Sequence, residues 1–339
     1  MVASTRLSDV AAHAGVSVQT VSNALNNPDL LKPATLQRVL ASVDALGYAP
    51  NIQAKRLRQR TVSTIGLRIE PVTDNIASGL LDRFLHELTA RADELGRHVL
   101  LFTAASDEEE VQKIRRLQSE RAADQFVLSG THPGDGRVDA LLAAGLPFVA
   151  FGRPWDASPE HAWVDVDGAE GTRQATRALL EAGHRRIGFV GWPAGSGSGD
   201  DRRSGWAGAM REALGLDEAA LERLTARSVD RVGEAVGVAA PLLPHVDALV
   251  CASDSLAAGA IAAAAASGAR LPVVGFDNTS LSAGLGFPSV DQSLDQVASA
   301  VLAAFDDPAS TTLVRPRLVR RDDTRWGIAP AAERGTTPS

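Results

Sequence analysis

The feature that most constrains the fold is a regular alternation of apolar runs and amphipathic stretches from Thr64 onward. The stretches between the runs carry apolar residues at helical spacing, for example at 80–95, 109–119, 168–182 and 203–214. Strands that alternate with helices of these lengths predict parallel sheets covered on both faces. The apolar runs, which predict the buried strands, are 64–69, 98–103, 125–129, 147–151, 186–191, 248–252 and 272–276.

This alternating region is too long for one sheet, so two doubly wound α/β lobes are predicted. Ligands of such folds bind at the carboxyl ends of the strands, and between two lobes they bind in a cleft. We predict an effector-binding and dimerisation domain at 62–339. Its first lobe is predicted at about 62–152 and 283–312, and its second at about 153–282 and 313–330.

Residues 1–49 have a different pattern, which predicts three short helices. Ser8 is expected to cap the first helix and Gly15 to end it, because glycine readily adopts positive φ. A second helix is expected from Ser17, and a third from near Pro33 to Gly47. A short helix, a tight glycine turn and a second helix form a helix-turn-helix. The alternative is a three-helix bundle whose polar residues are only solvated.

The outward residues of the second helix suit contacts with DNA. Val18 can contact a thymine methyl group, while Gln19 and Asn23 can pair with adenine. Short hydroxyl side chains suited to phosphate contacts lie beside them, at Ser17, Thr20 and Ser22.

The distribution of charge agrees with a DNA-binding head. The whole chain carries a net charge of −7. Residues 1–61, however, hold seven basic and three acidic residues, a net +4, whereas the remainder, with 27 basic and 38 acidic residues, carries −11. A basic head on an acidic body concentrates the attraction for phosphates in the head.

The head resembles that of the lactose/galactose repressor (LacI-type) family nearly residue for residue over 7–22, and the match continues through 46–51, Ala54 and Leu57. This resemblance implies a transcription regulator whose Val18, Gln19 and Asn23 occupy the base-reading positions. It also implies a sensor domain similar to periplasmic sugar-binding proteins. Because one head reads one half-site, we expect a homodimer on a pseudo-palindromic double-stranded operator.

The segment 50–61 is short and basic, and taken alone it predicts a linker or a marginal helix. The resemblance implies a hinge helix that forms on the operator and inserts a leucine into the minor groove. Leu57 matches this leucine, Ala54 the small residue beside it, and Asn51 belongs to the same DNA-contacting segment. An apolar wedge of this kind unstacks a base step and bends the duplex. A plain linker is the alternative.

Effector-binding candidates follow the predicted strand ends. Arg153 and Trp192 are chosen because a guanidinium offers a planar set of donors and an indole offers a flat face. The resemblance implies four further residues: Arg202, Asp277, Ser253 and Trp206. Asp254 is expected to cap a helix rather than to contact a ligand.

One departure from the family concerns the identity of the effector. Family members often have Asn-Pro-Phe-Phe after the first strand, where this chain has Asn75-Ile76-Ala77-Ser78 and lacks the two aromatic rings. A tryptophan elsewhere could replace them. A sugar or sugar derivative is the first expectation and a nucleoside or purine the second. Repression is expected, with activation or co-repression as alternatives.

Other classes of protein fit the sequence poorly. The glycine-rich segment 195–199 lacks the serine of a nucleophile elbow and the lysine of a phosphate-binding loop, so no enzyme is expected. The seven histidines lack metal-ligand spacing and Cys251 is the single cysteine, so neither a metal nor another cofactor is expected. The N-terminus lacks the apolar region that would export a periplasmic binding protein, and no run is long enough to span a membrane. We therefore expect a cytoplasmic protein.

Overall fold

A computed structural model describes residues 7–26, 30–48, 64–69, 78–155 and 161–321. The chain divides into two compact units, 1–62 and 63–339, one residue away from the division expected between 61 and 62. The predicted hinge residues Asn51, Ala54 and Leu57 lie outside the described residues, as do Asn75, Ile76 and Ala77.

The described residues of the first unit form three helices: α1 (Leu7–Ala14), α2 (Val18–Asn26) and α3 (Pro33–Ala45). Gly15 has a φ of +63° and ends α1, and the Val16 N–H then bonds to the Ala11 carbonyl at 3.0 Å. The Ser17 hydroxyl accepts from the Thr20 N–H at 3.1 Å, which satisfies a free donor at the start of α2. The helix-turn-helix therefore forms for local reasons. The predicted cap at Ser8 is wrong, because α1 already includes Leu7 and Ser8.

The core of this unit is small and apolar. Val10, Val21 and Val39, one from each helix, are fully buried, and each contributes about 1.5–3 kcal/mol by leaving water. Ala11, Ala14 and Ala24 complete the core, and such small side chains let α1 and α2 approach closely. This packing fixes α2 so that its opposite face meets solvent.

The first lobe of the second unit is a six-stranded parallel sheet in the order β11-β5-β4-β3-β1-β2. Alternate residues of its central strands face opposite sides, so that Val127 and Val149 pack on one face while Phe126 and Leu128 pack on the other. Helices α4 (Ser78–Glu94) and α13 (Leu294–Ala304) cover the first face, and α5 (Asp107–Ser119) and α6 (Gly136–Ala143) the second. The strands are β1 (Thr64–Ile69), β2 (His98–Thr103), β3 (Gln125–Ser129), β4 (Phe148–Phe151), β5 (Trp163–Val166) and β11 (Thr311–Val314).

The second lobe has a six-stranded sheet in the order β12-β10-β9-β8-β6-β7, parallel except for the pairing of β12 with β10. Its strands are β6 (Ile187–Gly191), β7 (Thr225–Arg227), β8 (Ala248–Cys251), β9 (Val273–Phe276), β10 (Ser289–Asp291) and β12 (Arg317–Val319). Its helices are α7 (Gly168–Glu181), α8 (Gly197–Leu214), α9 (Glu218–Arg223), α10 (Val232–Ala239), α11 (Asp254–Ala266) and α12 (Ser280–Leu285), with a 3-10 turn at Leu243–His245.

Helices α7 and α8 of this lobe approach very closely at Gly205. A Cβ atom at this position would lie 1.8 Å from the Ala169 carbonyl oxygen and 2.4 Å from the Thr172 hydroxyl. The crossing therefore requires glycine, and it fixes the position of α8, which carries several residues of the cleft.

The lobe boundaries differ from the predicted ones. Within 64–69, 78–155 and 161–321, the chain passes between the sheets after β5, after β10 and after β11. The predicted boundaries at 152/153 and 282/283 are therefore wrong, since β5 pairs with β4 in the first sheet and β10 with β9 in the second. Both strands are only three or four residues long, so periodicity gives them little signal. The third passage, between Val314 and Arg317, lies close to the predicted one.

None of the helices described is long and apolar enough to cross a membrane.

Candidate functional site

The exposed face of α2 presents several of the side chains predicted to contact DNA. Val18 is 47% exposed, and Gln19 beside it is also exposed. Gln19 Nε2 donates to the side-chain oxygen Oδ1 of Asn23 at 3.1 Å, which fixes the two side-chain amide groups relative to each other. The Ser17 and Thr20 hydroxyls lie 2.8 Å apart at the start of the helix. The structure therefore places Val18, Gln19, Thr20 and Asn23 in α2 and Ser17 directly before it.

Ser22 does not belong to this surface. Its side chain is buried, with 8% exposure, because it lies on the face of α2 that packs into the bundle. Ser22 therefore lies apart from the exposed residues of α2, and its contact with a phosphate stays a prediction.

The second unit has a cavity of about 270 Å³ between its two lobes. The first lobe contributes residues at or just after the carboxyl ends of β3, β4 and β5, together with Leu80 and Leu81 of α4. The second lobe contributes Trp192, which follows β6, and residues from the first turns of α8. Gly168, the first residue of α7, and Gln292, in the segment that passes between the lobes, complete the lining. Carboxyl ends of parallel strands are the expected position for a ligand in this architecture.

Arg202, on α8, is the cation among the described residues that line this cavity. Its Nη1 donates to the Ala252 carbonyl at 2.5 Å and lies 3.3 Å from Asp277 Oδ1. Its guanidinium carbon lies 3.8 Å from the ring centroid of Phe276 and 5.0 Å from that of Trp192. These contacts hold the guanidinium in one orientation although only 7% of the residue is exposed.

Asp277 lies behind the cavity lining and connects two residues that belong to it. Its Oδ1 accepts from Gln292 Nε2 at 2.6 Å as well as from Arg202. Burial raises the pKa of this carboxyl group, although Arg202 and Gln292 both act to lower it. A ligand that contacts Arg202 or Gln292 would therefore contact a hydrogen-bond partner of the buried Asp277 carboxyl group.

Arg153 links the two lobes at the other side of the cavity. From the end of β4, its Nε donates to Asp165 Oδ2 at 2.6 Å, and its Nη2 lies 3.3 Å from Asp201 Oδ2 on α8. The guanidinium carbon lies 5.0 Å from the ring centroid of Trp155. Burial raises the pKa of Asp201 despite the charge of Arg153. Arg153 thus forms an ion pair with one carboxylate in each lobe.

Of the six residues proposed for the effector, Arg153 and Asp277 only contact lining residues, and Trp206 and Ser253 lie away from the cavity. Trp206 is fully buried, its indole N–H donates to the Ile187 carbonyl at 3.2 Å, and its ring stacks on Phe189. Ser253 is 1% exposed and caps α11, since its hydroxyl accepts from the Leu256 N–H at 3.2 Å and donates to Asp230 at 2.5 Å. Both expectations are corrected, because these polar groups already have partners within the second lobe.

The expected role of Asp254 is also wrong, since Ser253 is the capping residue. The Asp254 carboxylate accepts from the Thr279 N–H and hydroxyl, both at 2.7 Å, and from the Ser289 hydroxyl at 2.6 Å. These hydrogen bonds connect α11 to β10 and to the segment that follows β9. Burial and the neighbouring charge of Asp277 raise its pKa to about 6.

Sequence reasoning missed Asp165, Asp201 and Gln292 as cavity residues. Asp201 precedes Arg202 in the sequence, and helical geometry could have placed it near the same surface. Gln292 follows β10, so its position became visible only once that three-residue strand was recognised. Asp165 lies within β5, and no local pattern distinguishes it.

One group among the described residues has the composition of a metal site: Asp107, His132 and Asp135, whose ligand atoms lie within 4.8 Å of one another. Its two carboxylates already accept hydrogen bonds from neighbouring side chains. Arg137 donates to both oxygens of Asp135 at 2.9 and 2.6 Å, and His132 Nε2 lies 2.8 Å from Asp107. The hydrogen bonds to Pro133 and Asp107 raise the pKa of His132. The arrangement is accounted for as an ion-pair cluster of the first lobe.

Comparison with known families gives two matches, one in each unit. Residues 6–51 match the family described as bacterial regulatory proteins, lacI family. Residues 82–312 match periplasmic binding proteins and sugar binding domain of LacI family.

Individual relatives agree with these matches. The HTH-type transcriptional regulator CelR of Thermobifida fusca is 32% identical over 281 residues, which cover 80% of this chain and 82% of CelR. The HTH-type transcriptional regulator GalR of Escherichia coli K12 is 29% identical over 349 residues, covering 98% of this chain and 99% of GalR.

Solved structures show the same architecture. A transcriptional regulator CelR–cellobiose complex superposes with a TM-score of 0.67 at 28% identity, covering 94% of this chain and 99% of the other. The lac repressor dimer bound to operator and the anti-inducer ONPF has a TM-score of 0.79 at 22% identity, covering 96% and 99%, and at this identity it bears on the fold alone. The helix-turn-helix and the two-lobed α/β fold expected from the sequence are confirmed. This chain belongs to the LacI family of bacterial regulatory proteins and is a DNA-binding transcriptional regulator of the helix-turn-helix type.

Proposed function

We propose that this protein is a transcriptional repressor that binds a pseudo-palindromic operator as a homodimer and leaves it when a sugar or sugar derivative occupies the cleft. It acts in the cytoplasm, where its DNA ligand lies. The observation that carries the proposal is the cavity between the lobes, where buried Arg202 lies against Trp192 and is bonded to Asp277. CelR, a relative of this chain, has been solved with cellobiose.

The head is proposed to read one operator half-site through α2. Val18, Gln19 and Asn23 are the base-reading residues, and Ser17 and Thr20 contact phosphates. The hinge residues Asn51, Ala54 and Leu57 are assigned by family resemblance, with Leu57 as the wedge in the minor groove. Two heads related by a two-fold axis then require two half-sites.

Release of the operator is proposed to follow from a change in how the two lobes are held together. Arg153 pairs with a carboxylate of each lobe, at 2.6 Å from Asp165 and 3.3 Å from Asp201. Arg83 of α4 donates to the carbonyl of Asp277 at 3.2 Å and to that of Asn278 at 3.0 Å. An effector that binds between the lobes therefore acts on the contacts that join them. The effector favours one arrangement of the lobes, and in that arrangement the protein has the lower affinity for DNA.

The effect must be reciprocal. If the effector lowers the affinity for operator by some factor, the operator lowers the affinity for effector by the same factor. Couplings of this kind are typically about 1–3 kcal/mol, or roughly 5- to 150-fold in affinity.

The test is a fluorescence anisotropy titration of the full-length protein against labelled DNA from upstream of its own gene, with a scrambled duplex as control. The proposal predicts a specific complex that a sugar dissociates. A complex that forms only with a small molecule would indicate a co-repressed regulator. Higher promoter output in the presence of the gene would indicate an activator, and the absence of any specific complex would exclude the operator-binding role.

A further inference from the structure

Backbone strain is concentrated at one place in the second unit. Among the described residues, four that are not glycine have positive φ, and three of them lie together: Asp277 at +100°, Asn278 at +47° and Ser293 at +54°. Asp277 and Asn278 form the turn after β9, and Ser293 follows the neighbouring strand β10, where the chain passes to the first lobe. These conformations cost free energy in residues that have a side chain, and they cluster at switch regions where the surrounding structure enforces them.

The side chains of this turn connect it to the cavity lining. Asp277 Oδ1 accepts from Arg202 and from Gln292, and both of these residues line the cavity. The Asn278 side chain donates to Asp291 Oδ2 at 2.7 Å, at the end of β10. A ligand that displaces either lining residue therefore acts on the turn.

The two backbone carbonyls of the turn, by contrast, bond to the first lobe. From α4, Arg83 Nη1 donates to the Asp277 carbonyl at 3.2 Å and to the Asn278 carbonyl at 3.0 Å. Its Nη2 lies 3.6 Å from Asp291 Oδ2. The relative direction of two successive carbonyls depends on the φ and ψ angles between them, so a rigid guanidinium that bonds to both selects the strained conformation of the turn.

The contact made by Arg83 differs from the one that Arg153 makes between the lobes. Arg153 pairs with the carboxylates of Asp165 and Asp201, whose side chains can rotate and follow a small displacement of the lobes. A backbone carbonyl cannot rotate on its own, because the peptide plane fixes its direction. The Arg83 contact is therefore the more sensitive of the two to the arrangement of the lobes.

We infer that Arg83 is a positioning residue that holds the turn at 277–278, and with it the two lobes, in the arrangement that binds operator. Its hydrogen bonds offset the strain of the turn, so the two arrangements of the lobes lie close in free energy. A ligand that displaces Arg202 or Gln292 moves Asp277, turns the carbonyls away from Arg83 and releases the first lobe. The inference rests on the proposed function and names the contact through which it is regulated.

The first experiment is a fluorescence anisotropy titration of full-length Arg83→Met on labelled DNA from upstream of the gene, with a scrambled duplex beside it. Methionine keeps the unbranched side chain and the helix preference of arginine but removes the donors. The specific complex should weaken roughly 5-fold, because the operator binds in proportion to the fraction of molecules in the competent arrangement. Binding to the scrambled duplex should not change.

Arg185→Met is the matched control. Arg185 Nη1 also donates to two backbone carbonyls, those of Leu180 and His184, both at 2.8 Å, but all three residues belong to the second lobe. This variant should bind operator as the wild type does. Equal operator affinities of the wild type and Arg83→Met, or equal losses in the two variants, would overturn the inference and leave the repressor in place. The absence of any specific complex with the wild type would overturn both.

Hydrogen exchange followed by mass spectrometry tests the turn itself, without DNA. The amides of Asp277 and Asn278 bond to β10 at 2.8 and 2.9 Å. Both should exchange roughly 5-fold faster in Arg83→Met, because the turn is no longer held from the first lobe, and at the wild-type rate in Arg185→Met. Unchanged exchange in Arg83→Met would show that Arg83 does not position the turn.

A double-mutant cycle tests the connection between the turn and the cavity. Gln292→Ala removes the donor that lies 2.6 Å from Asp277 Oδ1. If Gln292 acts through the turn, the double variant Arg83→Met/Gln292→Ala should bind operator little more weakly than the weaker-binding single variant. Losses that multiply would show that the two residues act independently and would overturn the connection. Thermal melts followed by circular dichroism check that each variant is folded.

Discussion

Replacement of Arg202 by alanine tests whether the buried ion pair between Arg202 and Asp277 stabilises the folded second unit. In the folded protein, Arg202 is the cation paired with Asp277, at 3.3 Å, and both side chains are under a tenth exposed. Alanine removes the positive charge and leaves the Asp277 carboxylate buried, with Gln292 as its remaining donor at 2.6 Å.

The expected cost is large. Removing one partner of a buried ion pair destabilises a protein by about 3–5 kcal/mol, because the remaining charge stays buried without compensation. For a domain of this size, such a loss lowers the melting temperature by roughly 10 °C. The lost hydrogen bond to the Ala252 carbonyl is included in this range, since the contributions of one side chain are not additive.

The loss should depend on pH in a defined direction. Burial already raises the pKa of Asp277, and removal of Arg202 takes away a charge that lowers it, so the pKa rises further in the variant. A carboxyl group whose pKa is higher in the folded state stabilises the protein only while it is protonated. The difference between the wild type and Arg202→Ala should therefore shrink as the pH falls through the raised pKa, and reach its full value above it.

Urea unfolding at several pH values, followed by circular dichroism, measures these differences. The double variant Arg202→Ala/Asp277→Asn removes both charges and should recover about 1–3 kcal/mol relative to Arg202→Ala alone. Equal destabilisation of the single and double variants, independent of pH, would show that the ion pair is not the cause.

Three further predictions concern the second lobe and the DNA-binding residues. Gly205→Ala should lower the free energy of unfolding by about 1–3 kcal/mol, because its Cβ would meet the Ala169 carbonyl at 1.8 Å, whereas Gly208→Ala should raise it by about 0.5–1 kcal/mol; equal effects in urea unfolding would refute the close crossing. Gln19→Ala should reduce discrimination at one operator base pair by about 1–3 kcal/mol in anisotropy titrations, and a uniform loss on all sequences would make Gln19 a backbone contact. Leu57→Ala should weaken operator binding far more than binding to random DNA, and an equal loss on both would refute the wedge.

Local patterns predicted the head well because its structure is determined locally. Gly15 ends one helix, Ser17 starts the next, and Val10 and Val21 each lie on the buried face of their own helix, so each step follows from residues close in sequence. Ser22 was the exception. Its burial depends on packing within the bundle, and a hydroxyl that faces the core looks the same in sequence as one that faces DNA.

The cleft was harder to predict because it is assembled from residues far apart in sequence. Arg202 and Trp192 were identified and do line the cavity, whereas Trp206, four positions after Arg202, faces the core of the lobe. Family resemblance assigned both Arg202 and Trp206. They share one face of α8, but Trp206 lies one turn farther along the helix, inside the core of the lobe. Gln292 was missed because β10, the strand before it, has only three residues. The pairing of β10 with β9 and β12 defines this strand, whereas its composition does not.

We propose that ligand occupancy of the cleft controls DNA binding by the head. The most direct test is a titration of the full-length protein on its own upstream DNA, with and without a saturating amount of a sugar that binds the protein. We predict that the sugar weakens the specific complex by roughly 5- to 150-fold, and that the operator weakens sugar binding by the same factor. A sugar that occupies the cleft and leaves operator affinity unchanged would contradict the claim.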